Sequence, residues 1–98
     1  MKRILHLHLP RAFFAQIAAG TKRTEYRRQS PHWKSRLEGR TYDVILFRNG
    51  YAPDAPEMLV ELISVRRITK TGQSYYALRL GRIMKLKRWK TKPRKPVA

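Results

Sequence analysis

The longest strand signal in the chain runs from Met58 to Ile68, and the chain then turns back along it. Residues 59, 61, 63, 65 and 67 form one face, and residues 58, 60, 62, 64, 66 and 68 form the other. Successive side chains of an extended chain point to opposite sides. The centre of the segment is apolar on both faces, which predicts a barrel or a covered sheet. Lys70-Thr71-Gly72-Gln73 carries a turn signal, and Tyr75 to Ile83 reads as the return strand. No regular βαβ spacing occurs elsewhere, so a doubly wound nucleotide-binding fold is disfavoured.

The residues before this hairpin supply shorter elements. Residues 3 to 9 read as a first strand, with His6 and His8 on one face and Leu5, Leu7 and Leu9 on the other. Pro10 suits a helix entry. Phe13 with Ile17, and Phe14 with Ala18, give the following helix an apolar side, and Gly20 is a left-handed terminator. Thr24 to Arg28 reads as a short polar strand. Ser30-Pro31 starts a second short helix, with Ser30 as its cap; Trp33 and Leu37 are the pair it can bury. Tyr42 to Arg48 alternates as a strand. Asn49-Gly50 is a turn signal, and Pro53 and Pro56 keep the next segment out of a ladder. The predicted fold is α+β and mainly β: a small barrel with two flanking helices over residues 1–84, followed by a basic C-terminal arm over residues 85–98.

Charge narrows the partner. The chain has 98 residues, 23 Lys and Arg against six Asp and Glu, and a formal net charge of +17. This excess is far beyond what solubility needs and predicts a polyanion as partner. Residues 62 to 98 hold twelve Lys or Arg and no acid. Arg82, Lys85, Lys87, Arg88, Lys90 and Lys92 lead a near-continuous cationic arm in which Leu86 and Trp89 are the apolar anchors. The plain alternative is a solvated tail; density without compensating acids favours phosphate binding. Phosphate contacts position a backbone and read no sequence. RNA, single-stranded in particular, suits a small barrel with stacking aromatics, while charge alone admits DNA. No segment approaches the ~20 apolar residues of a membrane-spanning helix, and His6 and His8 interrupt any signal-peptide core. A cytoplasmic setting is expected. With no cysteine, disulfides, thiolate nucleophiles and zinc–thiolate sites are excluded.

One carboxylate stands out against this background. Glu25 lies among Lys22, Arg23, Arg27 and Arg28, just past Gly20. It either anchors a structural ion-pair network or belongs to a polar site in which it handles a proton and Lys22 stabilises developing negative charge. Arg27 can pair with Glu25 in bidentate fashion or grip a phosphate. Tyr26 and Trp33 are the aromatics expected to line a cleft beside this motif, and Arg28 and Arg79 add cations for a nucleic acid. His6 and His8 could share a metal only with a third ligand from Glu25, His32, Asp43 or Glu61, and could otherwise act as an acid–base pair on RNA. His32 reads as a surface or capping group. No metal site and no cofactor are expected, with a divalent metal admitted only for a ribonuclease.

The order helix, Gly20-x-Lys22-x-x-Glu25-x-Arg27, Gly39, then the strand Tyr42-Asp43-Val44-Ile45-Leu46-Phe47 resembles the ASCH family of small PUA-like domains. The resemblance covers Pro10 to Phe47 best; beyond residue 58 it lies mainly in strand order. Gly39 and Asp43 are separated here by Arg40, Thr41 and Tyr42, where the family commonly has Gly-Asp. The resemblance implies a PUA-like β-barrel and an RNA-associated role. Some relatives are ribonucleases, and one group of amidohydrolases deacetylates N4-acetylcytidine. On that group's pattern the catalytic lysine falls on Lys22 and the catalytic threonine on Glu25, a departure that removes the nucleophile; Thr24 is one position early. Glu61 is the nearest candidate for that group's separate glutamate. The expectation is an RNA-binding domain with a nucleotide pocket around Lys22, Glu25 and Arg27. A hydrolase acting on RNA or on acetylated cytidine, with Lys22 and Glu25 as its catalytic residues, is the alternative.

Overall fold

The computed structural model describes residues 2–89. Seven elements follow in order: β1 (Ile4–His8), α1 (Arg11–Ala18), β2 (Thr24–Arg28), α2 (Pro31–Leu37), β3 (Val44–Arg48), β4 (Glu57–Lys70) and β5 (Gln73–Lys87). The domain is mixed α+β and mainly β. The strands make one five-stranded sheet in the order β1-β3-β4-β5-β2. β1 runs parallel to β3, and the other neighbours are antiparallel.

The closed barrel predicted from the hairpin's apolar centre is not formed. β1 and β2 are the two edges of an open sheet, curled so that they approach one another. The two-sided burial that would require closure is also missing: on β4, Leu62 is buried, while Ile63 is 55% and Val65 38% exposed. The curl has a local cause. The β4–β5 register slips at three places between Leu59 and Ser64, and such bulges bend and twist a strand pair. Gly81 sits opposite this bend, where a Cβ would press on the Glu61 carboxylate and the Ile63 side chain.

The core fills the concave side. Leu5 and Leu7 of β1, Ile45 and Phe47 of β3, Met58 and Val60 of β4, and Leu78 and Leu80 of β5 face it in cross-strand rows. α1 adds Phe14 and Ile17, and α2 adds Leu37. Burying side chains of this size contributes about 1.5–3 kcal/mol each before ordering entropy is subtracted. Trp89 packs on Phe14 with ring centroids 4.8 Å apart. The local signals act as expected: the Ser30 hydroxyl accepts a hydrogen bond from the Trp33 N–H, and Gly20 adopts φ +81 after α1. Pro10 stands one residue outside α1, in the capping position.

The hairpin outruns the core. From Ser64 to Lys70 no residue of β4 is buried. Its tip is a two-residue turn with Thr71 at φ 51 and Gly72 at φ 74, the left-handed pair of a type I′ turn that matches strand twist. β5 continues past Ile83 to Lys87, so Lys85 and Lys87 are strand residues. The arm residues Lys90, Lys92, Arg94 and Lys95 lie outside the described residues. No helix among the described residues is long and apolar enough to cross a membrane.

Candidate functional site

The Lys22–Glu25–Arg27 motif is assembled, but as an internal clasp. The chain reverses at Gly20, where the Thr21 and Lys22 N–H groups both donate to the Gln16 carbonyl, and then enters β2. Glu25 lies opposite Leu78 on β5 and Arg27 opposite Tyr76. Leu78 and Tyr76 are core residues, so Glu25 and Arg27 share the core face. Glu25 is only 5% exposed. Its Oε2 takes the Arg27 guanidinium at 2.8 Å and its Oε1 the Lys22 ammonium at 3.4 Å.

Both cations are committed further. Lys22 donates to the Thr24 carbonyl at 2.8 Å and sits 5.1 Å from the Phe13 ring centroid. Arg27 donates to the His8 carbonyl at 3.0 Å and lies 5.1 Å over the Trp33 ring. This single guanidinium therefore ties β2 to β1, the two edges the sheet leaves apart. A carboxylate this buried is tolerated because it is paired on both oxygens. It is neither open to solvent nor free of Arg27, the two conditions a general base at this position needs.

Of the five remaining acids four are also engaged, and Asp54 is exposed in the loop before β4. Glu57 pairs with Arg48 and Arg88. Glu38 pairs with Arg67 and accepts the Tyr76 hydroxyl hydrogen bond. Asp43 accepts from the Arg3 backbone N–H. Glu61 is exposed, with its carboxylate 3.4 Å from the Arg82 backbone nitrogen. The hydrogen bond to Glu38 and burial push the Tyr76 hydroxyl above the ordinary phenol value of 10.0, since both favour the protonated form.

The opposite face of β2 is different. Residues facing one another across an antiparallel pair project to the same side. Thr24, Arg79 and Ser64 make one row over β2, β5 and β4; Tyr26, Ala77 and Arg66 make the next; Arg28, Tyr75 and Ile68 make the third. None of these residues is buried and none is acidic. Tyr26 and Tyr75 meet edge to face with centroids 6.5 Å apart, and Lys70 lies 4.3 Å over the Tyr26 ring. The two tyrosines, Lys70 and the turn border a cleft of about 350 Å³. Arg28 donates to Gln73, a neutral partner.

The other predicted binding groups divide by position. Trp33 is half-buried and braces Arg27. Arg88 is held by the Ala55 carbonyl and by Glu57, with its Nη2 2.6 Å from Glu57 Oε1. Trp89 is packed on α1, where Arg11 covers it at 4.7 Å. Arg79, Arg82, Lys85 and Lys87 line β5, and all four are exposed along it. Lys85 lies opposite Leu59 and Lys87 opposite Glu57.

A grouping that sequence reasoning missed lies beside β1. His6 and His8 do face the same side, and the packing of α2 brings His32 and Arg36 to the same cleft, of about 340 Å³. His32 is exposed, as expected, while the capping is done by Ser30. Nothing local in the sequence joins residues 24 positions apart. Among the described residues no three His, Asp or Glu side chains converge as a metal-binding set. Comparison of the chain with protein-family models, with curated proteins and with solved structures finds no match.

Proposed function

We propose that this protein binds single-stranded nucleic acid, RNA in the first place, through the outer face of β2, β5 and the distal half of β4. The observation that carries the reading is the set of three cross-strand rows in which Tyr26 and Tyr75 stand among Arg28, Arg66 and Arg79 with no carboxylate between them. Aromatic rings stack on any unpaired base, and cations around them hold the phosphates. Duplexes keep their bases stacked inward and gain little from exposed tyrosines. The surplus of cations over acids supports the same partner.

The nucleotide contact moves from the Lys22–Glu25–Arg27 motif to the neighbouring face, because the motif's groups are spent on one another. For the same reason binding is favoured over hydrolysis at Lys22 and Glu25. The ASCH relationship is a proposal that rests on the motif and the strand order, carried by an open, curled sheet in place of a closed barrel. A cytoplasmic setting belongs to the proposal too.

The test is fluorescence anisotropy with a labelled eight-nucleotide RNA at 50 and 200 mM salt, with a hairpin duplex as control. Arg66→Gln/Arg79→Gln should lower affinity for the single strand about tenfold. Its salt dependence should become shallower, by about 0.7 in log–log slope for each phosphate no longer neutralised. Tyr26→Ala should weaken binding by about 1–3 kcal/mol with the slope unchanged. Unaltered affinity in both variants would refute the assignment of this face.

A further inference from the structure

We infer that the cleft beside β1 is a subsite for a phosphate monoester at the end of a bound strand. The inference rests on the nucleic-acid reading above for the source of that phosphate. The cleft gathers every histidine of the chain, His6, His8 and His32, together with Arg27 and Arg36. No acidic residue lines it; Glu25, which pairs with Arg27, is buried behind that side chain on the core face. With no carboxylate on its walls the cleft carries net positive charge, and an anion meets the Arg36 guanidinium and imidazole donors from β1 and α2.

The donors are oriented. Arg36 donates through Nε to His32 Nε2 at 3.0 Å. This leaves the two Nη groups of Arg36 for another acceptor, and it makes Nδ1 the protonated nitrogen of a neutral His32. Arg27 is fixed by the Glu25 carboxylate, the His8 carbonyl and the Trp33 ring, so its position is set before any ligand arrives. A dianionic terminal phosphate matches the two free Nη groups of Arg36 better than a singly charged diester does. Tyr51 stacks on His8 with centroids 4.1 Å apart and is 82% exposed. It offers a flat apolar surface to the terminal base beside the phosphate. The cleft volume of about 340 Å³ is of the size that takes a nucleotide.

The experiment compares an eight-nucleotide RNA carrying a 5′-phosphate, one carrying a 3′-phosphate and the same strand with hydroxyls at both ends, using the full chain. One phosphorylated strand should bind about tenfold tighter than the hydroxyl strand, the worth of one or two charge-assisted hydrogen bonds. Arg36→Gln should erase that ratio while leaving the hydroxyl strand's affinity unchanged. His8→Gln, on a different element, should reduce the ratio in the same way. In NMR titrations, uridine monophosphate should shift the imidazole resonances of all three histidines. Equal affinities for the three strands, or a ratio that survives both variants, would overturn the subsite. Inorganic phosphate shifting the imidazoles as far as the nucleotide does would overturn the strand end as the source. If the hydroxyl strand still binds and still depends on Arg66 and Arg79, the failure belongs to the subsite alone and not to the face.

Discussion

Arg27 and Arg28 are neighbours on β2, yet they serve different faces of the sheet. Arg27 points to the core side, where Glu25, the His8 carbonyl and the Trp33 ring consume it. Arg28 points outward, where its hydrogen-bond partner is the neutral Gln73. The same contrast separates Glu25 from its neighbour Tyr26: one is buried and doubly paired, the other is 39% exposed among cations. Charge alone does not identify a binding group. A cation whose charge is already balanced inside the protein holds the fold, and a cation without an acidic neighbour is open to a partner.

Glu25→Gln would test this division most severely. It removes the charge that two partly buried cations share, and breaking such a cluster costs on the order of 3 kcal/mol. Thermal denaturation should show a drop of several degrees. RNA affinity of the still-folded protein should barely change; a tenfold loss of affinity at constant stability would return Glu25 to the binding site. Arg66→Gln/Arg79→Gln should behave in the opposite sense. Stability should stay within about 0.5 kcal/mol of the parent, as for surface changes generally, while affinity falls about tenfold.

Tyr76→Phe sharpens the core side of the comparison through pH. The Tyr76 hydroxyl is raised above 10.0 in the folded protein because it donates to Glu38 and is buried. Its contribution is therefore complete below pH 10 and is lost as pH rises through the folded-state value. The parent should lose stability faster than the Phe variant above pH 10, and the two should run parallel between pH 6 and 9. The smallest effect is expected at the hairpin tip. Thr71 holds φ 51, a conformation that asparagine adopts more readily. Thr71→Asn should stabilise the protein by about 0.5 kcal/mol and leave the clasp untouched, as a denaturant titration would show.

Much of this fold is legible locally. The alternation of Leu5, Leu7 and Leu9 with two histidines places β1 and its inner face, Gly20 and Ser30 mark helix ends, and Lys70-Thr71-Gly72-Gln73 locates the hairpin turn. The ends of β4 and β5 are not legible, because strand pairing beyond the core needs no apolar alternation. β2 reads as a strand, but its pairing with β5 across some fifty residues does not show in the sequence, and that pairing decides which face Glu25 takes. Closure is suggested by Ile63 and Val65, which remain exposed at the bend and beyond it. The histidine cleft depends on where α2 lands, which is set by the packing of Leu37 and Trp33 and by no pattern around His32.

The seam between β1 and β2 also has a consequence for how the molecule opens. These edges meet through the Arg27 side chain and each has a backbone ladder on one side only, whereas β3, β4 and β5 are laddered on both sides. Releasing one guanidinium therefore separates the edges without disturbing the central strands. In native-state hydrogen exchange, the amides of β1 and β2 should form the early-opening unit and those of β3 through β5 the last to exchange.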